Sequence, residues 1–415
     1  MIAKYPPMGW NSWDCFGPSV FEERVRLNAE YIAKYLKPYG WEYVVIDAQW
    51  FQPTSKSYGY VSFPEMAMDE YGRFLPAVEK FPSAAGGLGF KPLADYIHSL
   101  GLKFGVHLMR GIPRQAAQRH KPILDSPYNC DELANPNDVC PWNPDMYGIY
   151  LRHPGAQDYY NSVFRLQASW GVDYIKFDDV ARSPIVEKEV ELMTKALHTC
   201  GREMVLSLSP GPADVNKAEF FKTHANLWRI TDDFWDEWPL LRDMFDRAAK
   251  WCIHSGPGHW PDADMLPVGM LRAAPPGYGW GCRPTKFTHA EQRTMMTLWC
   301  MMRSPLMVGA ELPRSDDFTR ELLTNAEVLK IQRESYFGHP LYNRNDECVW
   351  AALRQDGKGG YVALFNLADE ERELSVDPDE LEIPWTEATE LWSGEECTSL
   401  SRKLEPHGAA VWYIR

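Results

Sequence analysis

Four times in the first half of the chain, a helical stretch ends at a glycine and an apolar run follows. FEERVRLNAEYIAKYLKPYG places Val25, Ala29, Ile32 and Leu36 on one helical face and leads into WEYVVIDAQW. KPLADYIHSLG leads into LKFGVHL, QDYYNSVFRLQASWG into VDYIKFD, and VEKEVELMTKALHTCG into REMVLSLS. Gly40, Gly101, Gly171 and Gly201 suit the position after a helix, where φ is often positive. Strands this apolar, each preceded by a helix, predict a parallel sheet with helical crossovers. Over roughly 330 residues such a sheet closes into a (β/α)8 barrel or stays open and doubly wound. No glycine-rich phosphate loop follows the first strand, which disfavours a nucleotide-binding sheet.

The remaining strands are predicted in PPMGW (first), NLWRIT (226–231, sixth), HWPDAD (259–264, seventh) and MMRSPLMVG (301–309, eighth). After about Gln332 the texture changes to short β-runs such as ECVWAALR, GYVALFNL and AAVWYIR. The expected architecture is an α/β (β/α)8 TIM barrel over 1–332. A small C-terminal antiparallel β-sandwich domain follows over 333–415.

Composition excludes several partners. A formal net charge of −14 disfavours nucleic acid and anionic membranes. No run of ~18 apolar residues offers a membrane span. The N-terminus, MIAKYPPMGW, lacks the apolar core of a signal peptide. Nine scattered cysteines read as reduced thiols in a cytoplasmic protein, with Cys130 and Cys140 near enough in one loop to pair. Seventeen tryptophans suit either a large core or platforms for a flat ligand such as a sugar ring.

Polar residues gather at the predicted strand ends, which in a barrel form the catalytic face. Asp47 ends strand two, His107 strand three, Lys176 and Asp178 strand four, Ser209 strand five, Arg229 to Asp233 strand six, and Asp262 with Asp264 strand seven. Alternation puts Tyr174, Lys176 and Asp178 on one face and Asp179 on the other. It likewise groups Arg229, Thr231 and Asp233 and leaves Asp232 out. Lys176 beside Asp178 favours an ionised carboxylate. Two carboxylates facing one pocket, with tryptophans nearby and no metal-ligand cluster, suggest glycoside hydrolysis without a cofactor.

Seven ordered stretches carry a specific resemblance. PPMGWNSWDCFG, FPSAAGGLGFKPLADYIHSLGLKFG, GVDYIKFDD, LWRITDDFW, HWPDADML, LWCMMRSPLMVGAEL and LLTNAEVLKI resemble motifs of glycoside hydrolase family 27. That is the α-galactosidase and α-N-acetylgalactosaminidase family. The resemblance runs from about Pro6 to Gln332. It implies a retaining exo-glycosidase with Asp178 as nucleophile and Asp233 as general acid/base, their carboxyls ~5 to 5.5 Å apart. It also implies that Trp13 stacks on the sugar, that Asp47 and Lys176 bind hydroxyls on one edge, that Arg229 binds near C2, and that Asp264 supports the site.

The chain departs from the family pattern at several positions. Ala48 stands where the family has a second aspartate reading C4 and C6. His107 replaces a usual tyrosine and is the expected substitute contact on that edge. Val180 replaces a usually disulfide-bonded cysteine. Ser209 falls where galactosidases place a carboxylate reading C2, and a small residue there resembles members that accept an N-acetyl group. The long segment from Gly111 to about His153 could wall the pocket, with Trp142 or Tyr147 touching the leaving group. The glycone therefore stays open among α-galactose, the default, α-N-acetylgalactosamine, β-L-arabinopyranose and a gluco-configured sugar. A non-catalytic carbohydrate-binding protein and a metal-dependent barrel lyase are the readings from other classes. The expected partner is a glycoside or oligosaccharide, and the oligomeric state, a homodimer included, is left open.

Overall fold

The computed structural model describes residues 1–56, 59–273, 282–381 and 383–415. Eight parallel strands form one sheet. They are β1 (Met8–Asn11), β2 (Tyr43–Ile46), β3 (Lys103–Met109), β4 (Tyr174–Asp178), β5 (Val205–Leu208), β6 (Leu227–Arg229), β7 (Trp260–Asp262) and β8 (Leu306–Val308). Each pairs with its neighbour in sequence from β1 to β7, and β8 returns beside β1. The ring closes just beyond β7, where Leu266 bridges Val308 in parallel and its N–H donates to the Met307 carbonyl at 2.7 Å. Six of the eight strands lie within the predicted stretches, and β1 and β3 each overrun theirs by one residue, so the fold is the (β/α)8 barrel.

The helix before β2 begins as α1 (Glu22–Tyr31) and widens into a π turn over Ile32–Leu36. Its predicted face of Val25, Ala29, Ile32 and Leu36 is buried. The crossovers α2 (Lys91–Ser99), α3 (Gly155–Trp170) and α4 (Glu187–Thr199) follow as expected. The four glycines after these helices all have φ between +71° and +99°, where a side chain would be strained.

Strand alternation sorts the residues into two layers. Val44, Ile46, Ile175, Phe177, Leu206, Leu208 and Trp228 pack outward against the helices. Tyr43, Val45, Tyr174, Val205, Leu227, Trp260 and Met307 plug the barrel interior. Gly9 and Gly105 make room for that plug: a Cβ on Gly9 would lie 2.6 Å from the Tyr43 Cβ, and one on Gly105 3.0 Å from the Tyr174 Cβ. Polar side chains one step above this apolar floor therefore open toward the C-terminal face.

Helices α5 (Ala218–His224) and α6 (Trp238–Trp251) precede α7 (His289–Met302), α8 (Asp317–Thr324) and α9 (Ala326–Glu334). The chain then switches at Ser335 to an antiparallel sheet, two residues past the expected change of texture. Its strands are β9 (Ser335–Arg344), β10 (Glu347–Arg354), β11 (Gly360–Asn366), β13 (Ala388–Glu390), β14 (Glu396–Cys397) and β16 (Ala409–Ile414). β12 (Arg372–Ser375) and β15 (Ser401–Leu404) form a second layer. Along the middle strands Trp350, Tyr361, Phe365 and Val411 face the barrel's helices, while Val349, Val362, Leu364 and Trp412 face β12 and β15. This is the sandwich pattern of two apolar faces in alternation.

Cys130 and Cys140 are both buried and both free, so they do not pair. Among the described residues no helix is long and apolar enough to cross a membrane.

Candidate active site

A cavity of about 470 Å³ opens at the C-terminal ends of the strands. Asp47, Lys176, Asp178, Arg229, Asp233 and Asp264 contribute to its wall, together with Trp13 and Trp142. Of these eight sequence-predicted residues, Lys176, Asp178 and Arg229 lie in β4 and β6, and the others lie in the segments after β1, β2, β3, β6 and β7.

On one side Asp47 is buried and holds three donors. Lys176 Nζ reaches its Oδ2 at 2.7 Å, Asn11 Nδ2 reaches the same oxygen at 2.8 Å, and the Ala48 N–H reaches Oδ1 at 2.8 Å. Burial alone would raise the Asp47 pKa, but Lys176 and then His107 outweigh it and hold the carboxyl below its usual value. Burial works against the charge on Lys176 as well, yet Asp47 and Asp178 leave its pKa raised. At the centre, Asp178 Oδ1 accepts the Asp179 N–H at 2.9 Å, and Oδ2 lies 2.9 Å from His107 Nε2. Burial is the largest influence on Asp178 and pushes it up. The hydrogen bond from His107, the charge of His107 and that of Lys176 together hold it well below the ordinary carboxylate range.

On the other side, Arg229 Nη2 sits 2.7 Å from Asp264 Oδ2 and 3.2 Å from Asp233 Oδ1. Asp264 also accepts the Phe234 N–H at 2.8 Å. Burial raises the Asp264 pKa to about 6 against the pull of Arg229, with Asp233 and Asp262 adding to the rise. The Asp233 side chain is 66% exposed and looks into the open cavity.

Several expected contacts are absent. His107 is 1% exposed and stands behind Asp178 rather than in the cavity wall. In register it pairs with Lys176, one layer deeper than Asp178, which pairs with Met109; a short imidazole cannot climb to the rim as a lysine can. Ser209 is also no part of the wall. Strand β5 ends at Leu208, the Ser209 carbonyl takes the Val180 N–H at 3.0 Å, its hydroxyl is enclosed, and Pro210 occupies the wall. Tyr147 belongs to a small strand, Met146–Ile149, whose pairing with Ile112–Pro113 holds it against the core and away from the cavity. Asp179, as expected, turns away and meets Arg110 at 3.0 Å. Asp232 does not: it lines the mouth and pairs with Arg182. Strand β6 ends at Arg229, so alternation no longer governs residues 230–233.

The cavity also contains residues that sequence reasoning passed over. Tyr60 packs at a tilt between Trp13 and Trp142, with ring centroids 5.3 and 5.8 Å away. It lies in an irregular loop, where no periodicity marks it. Asp14 sits in the wall beside Trp13, and Asn11, inward on β1 but outside the wall, donates to Asp47. Trp235 and the buried Met265 also line the cavity, Met265 as part of the apolar plug.

The described residues hold no group of three or more His, Cys, Asp or Glu side chains arranged for a metal ion. The arrangement instead offers two carboxylates of opposite character. One is buried, hydrogen-bonded and held ionised; the other is exposed to the cavity beside an arginine. Acid/base and nucleophilic work on a sugar acetal suits that division.

Comparison with known proteins agrees. The model of α-galactosidase A matches residues 148–334, and that of the α-galactosidase C-terminal β-sandwich domain matches 345–414. A solved family 27 β-L-arabinopyranosidase from Geobacillus stearothermophilus is 50% identical, with a TM-score of 0.96 over 99% of this chain and 96% of that one. The chain belongs to glycoside hydrolase family 27. Within family 27 it is also 46% identical to a candidate α-N-acetylgalactosaminidase from Bacillus halodurans, with a TM-score of 0.88 over 99% and 97% of the two chains. An α-galactosidase from Cyamopsis tetragonoloba is 28% identical over the whole of this family 27 chain and 87% of its own length.

Proposed function

We propose that this glycoside hydrolase is a retaining exo-acting β-L-arabinopyranosidase. L-Arabinopyranose has the ring stereochemistry of galactose and no C6. The observation that carries the reading is the end of the pocket formed by strand two and its loop. Asp47 and Tyr60 line that end, the Tyr60 ring beside Trp13, and the residue after Asp47 is the buried Ala48, where the family pattern has a second aspartate reading C4 and C6. The Geobacillus enzyme, with half its residues identical, supports the same glycone, and a variant of it has been solved with arabinose. α-Galactoside hydrolysis is the second reading, favoured by the curated α-galactosidases that span the chain.

The reaction runs in two displacements. Asp178 attacks the anomeric carbon as the bond to the leaving oxygen breaks, and Asp233 gives that oxygen its proton. In the second step Asp233 takes a proton from water, the water oxygen attacks the anomeric carbon, and the ester to Asp178 breaks. Asp47 with Lys176 would hold hydroxyls on one edge, Arg229 with Asp264 those near C2, and Trp13 the ring face. Trp142 and Arg182 border the space where the leaving group sits. The nine free cysteines support a reducing, cytoplasmic setting.

Two expectations follow from this reading. Ala48→Asp should raise the ratio of kcat/KM for α-galactoside over β-L-arabinopyranoside by about tenfold, by restoring an acceptor for the extra hydroxyl. Side-by-side kinetics on the two nitrophenyl glycosides, in wild type and variant, measure it. A wild type that prefers the galactoside would move the assignment to α-galactosidase. The other expectation concerns His107→Ala. Asp178 must be ionised to attack, and His107 helps keep it so. Losing that hydrogen bond should raise the Asp178 pKa and move the acid limb of kcat/KM up by about one pH unit. An unmoved acid limb would mean that Asp178 does not set it.

A further inference from the structure

Asp14 lies in the short helical turn Trp13–Phe16, just past β1. It is 3% exposed and forms part of the cavity wall. Its Oδ2 is enclosed, and no donor reaches that atom among the described residues. The carboxyl is pressed against Gly309, where a Cβ would lie 2.1 Å from Oδ2. The contrast with its neighbours is sharp: Asp47 holds three donors, and Asp264 holds Arg229 and the Phe234 N–H. Asp14 faces Asp264 from beyond β7, Lys176 from β4, Asp233 from beyond β6 and Asp47 from β2. From the segment after β7, Arg272 brings its main-chain N–H to the Asp14 carbonyl oxygen at 2.9 Å. Glu311, beyond β8, adds a further negative charge around the adjoining Cys15.

A carboxylate buried among carboxylates, with no donor at Oδ2 among the described residues, is a poor place for charge. Burial, then Asp264, holds its pKa well above the ordinary range despite Lys176. The neutral acid carries an O–H, and that hydrogen has a use only at the oxygen left to the cavity. Asp47 and Asp178, held ionised in the wall, only accept, whereas a sugar hydroxyl both donates and accepts.

We propose that Asp14 is a further glycone-binding residue, whose neutral carboxyl donates a hydrogen bond to one ring hydroxyl of the bound pyranose. That hydroxyl passes its own hydrogen to a neighbouring carboxylate, so the two acids grip it from both sides. This role rests on the glycosidase reading above and names a recognition contact that reading does not use.

The test pairs protein and substrate changes. Nitrophenyl β-L-arabinopyranosides lacking the C2, C3 or C4 hydroxyl are compared in wild type and Asp14→Ala. At one ring position, deoxygenation should cost wild type about tenfold more in kcat/KM than it costs the variant, which keeps only the bond to the neighbouring carboxylate. At the other two positions the losses should multiply. Multiplying losses at all three would overturn the proposal while leaving the glycosidase reading intact. A wild type inactive on every parent glycoside would remove that reading, and Asp14's role with it. Should Asp14→Ala fail to fold, infrared difference spectra at neutral pH decide with Asp14→Asn. Wild type should show a neutral-acid carbonyl band that shifts when L-arabinose binds and that is missing in Asp14→Asn. The same neutral-acid bands in both proteins would overturn the assignment.

Discussion

Asp178→Ala should lower turnover of every glycoside by at least about 10⁴-fold, because no other group is set to attack the anomeric carbon. The side chain is small and nearly buried, so the variant should fold and still bind sugar. Added azide should restore turnover by entering the vacated space, and the glycosyl azide formed should have inverted configuration. Asp179→Ala is the internal control. Asp179 faces Arg110 at 3.0 Å and lies outside the cavity wall. Its loss should lower thermal stability and leave the azide response absent. Near wild-type activity in Asp178→Ala would contradict the assignment directly.

Asp233→Ala should discriminate among leaving groups. For a sugar or alkyl aglycone the first step needs protonation, and kcat/KM should fall by about 10²- to 10⁴-fold. For a dinitrophenyl aglycone, which leaves as a stable anion, kcat/KM should stay near wild type. Asp233 also serves as base in the second step, so kcat and KM for that activated substrate should fall together as glycosyl-enzyme accumulates. A Brønsted series of aryl glycosides measures the effect. A uniform loss across the series would show that Asp233 does not protonate the leaving oxygen. Its partner charge matters here: Arg229 is nearly buried and bridges Asp233 to Asp264, so it orients the acid while contributing to the negative pole's balance.

Much of this site was legible because the barrel obeys a simple rule. Residues two apart on a strand share a face, and Lys176 with Asp178 follows Tyr174 into the interior as that rule requires. The rule reaches only as far as the strand does. Asp232 and Ser209 lie beyond the ends of β6 and β5, and there chain direction is set by local hydrogen bonds instead. Depth is also invisible in one strand. His107 is inward, as alternation says, but only its register against Lys176 shows that it lies behind Asp178. The loop after β2 has no period at all, so Tyr60 carried no signal. Most of the described tryptophans, ambiguous in composition, fall into two groups. Trp10, Trp41, Trp50, Trp228, Trp260, Trp299, Trp350 and Trp412 are core, while Trp13, Trp142 and Trp235 line the cavity. Closure of the barrel through Leu266 and Val308 was unreadable for a similar reason: it depends on one bridge outside the regular strands.

The central claim is double displacement on a sugar of galactose-like configuration. Proton NMR of the first sugar released reads it most directly, with enough wild-type enzyme to outrun mutarotation. Nitrophenyl β-L-arabinopyranoside should yield β-L-arabinopyranose first, with the α anomer growing only later by mutarotation. Initial release of the α anomer would mean a single inverting displacement, and the covalent role of Asp178 would be contradicted.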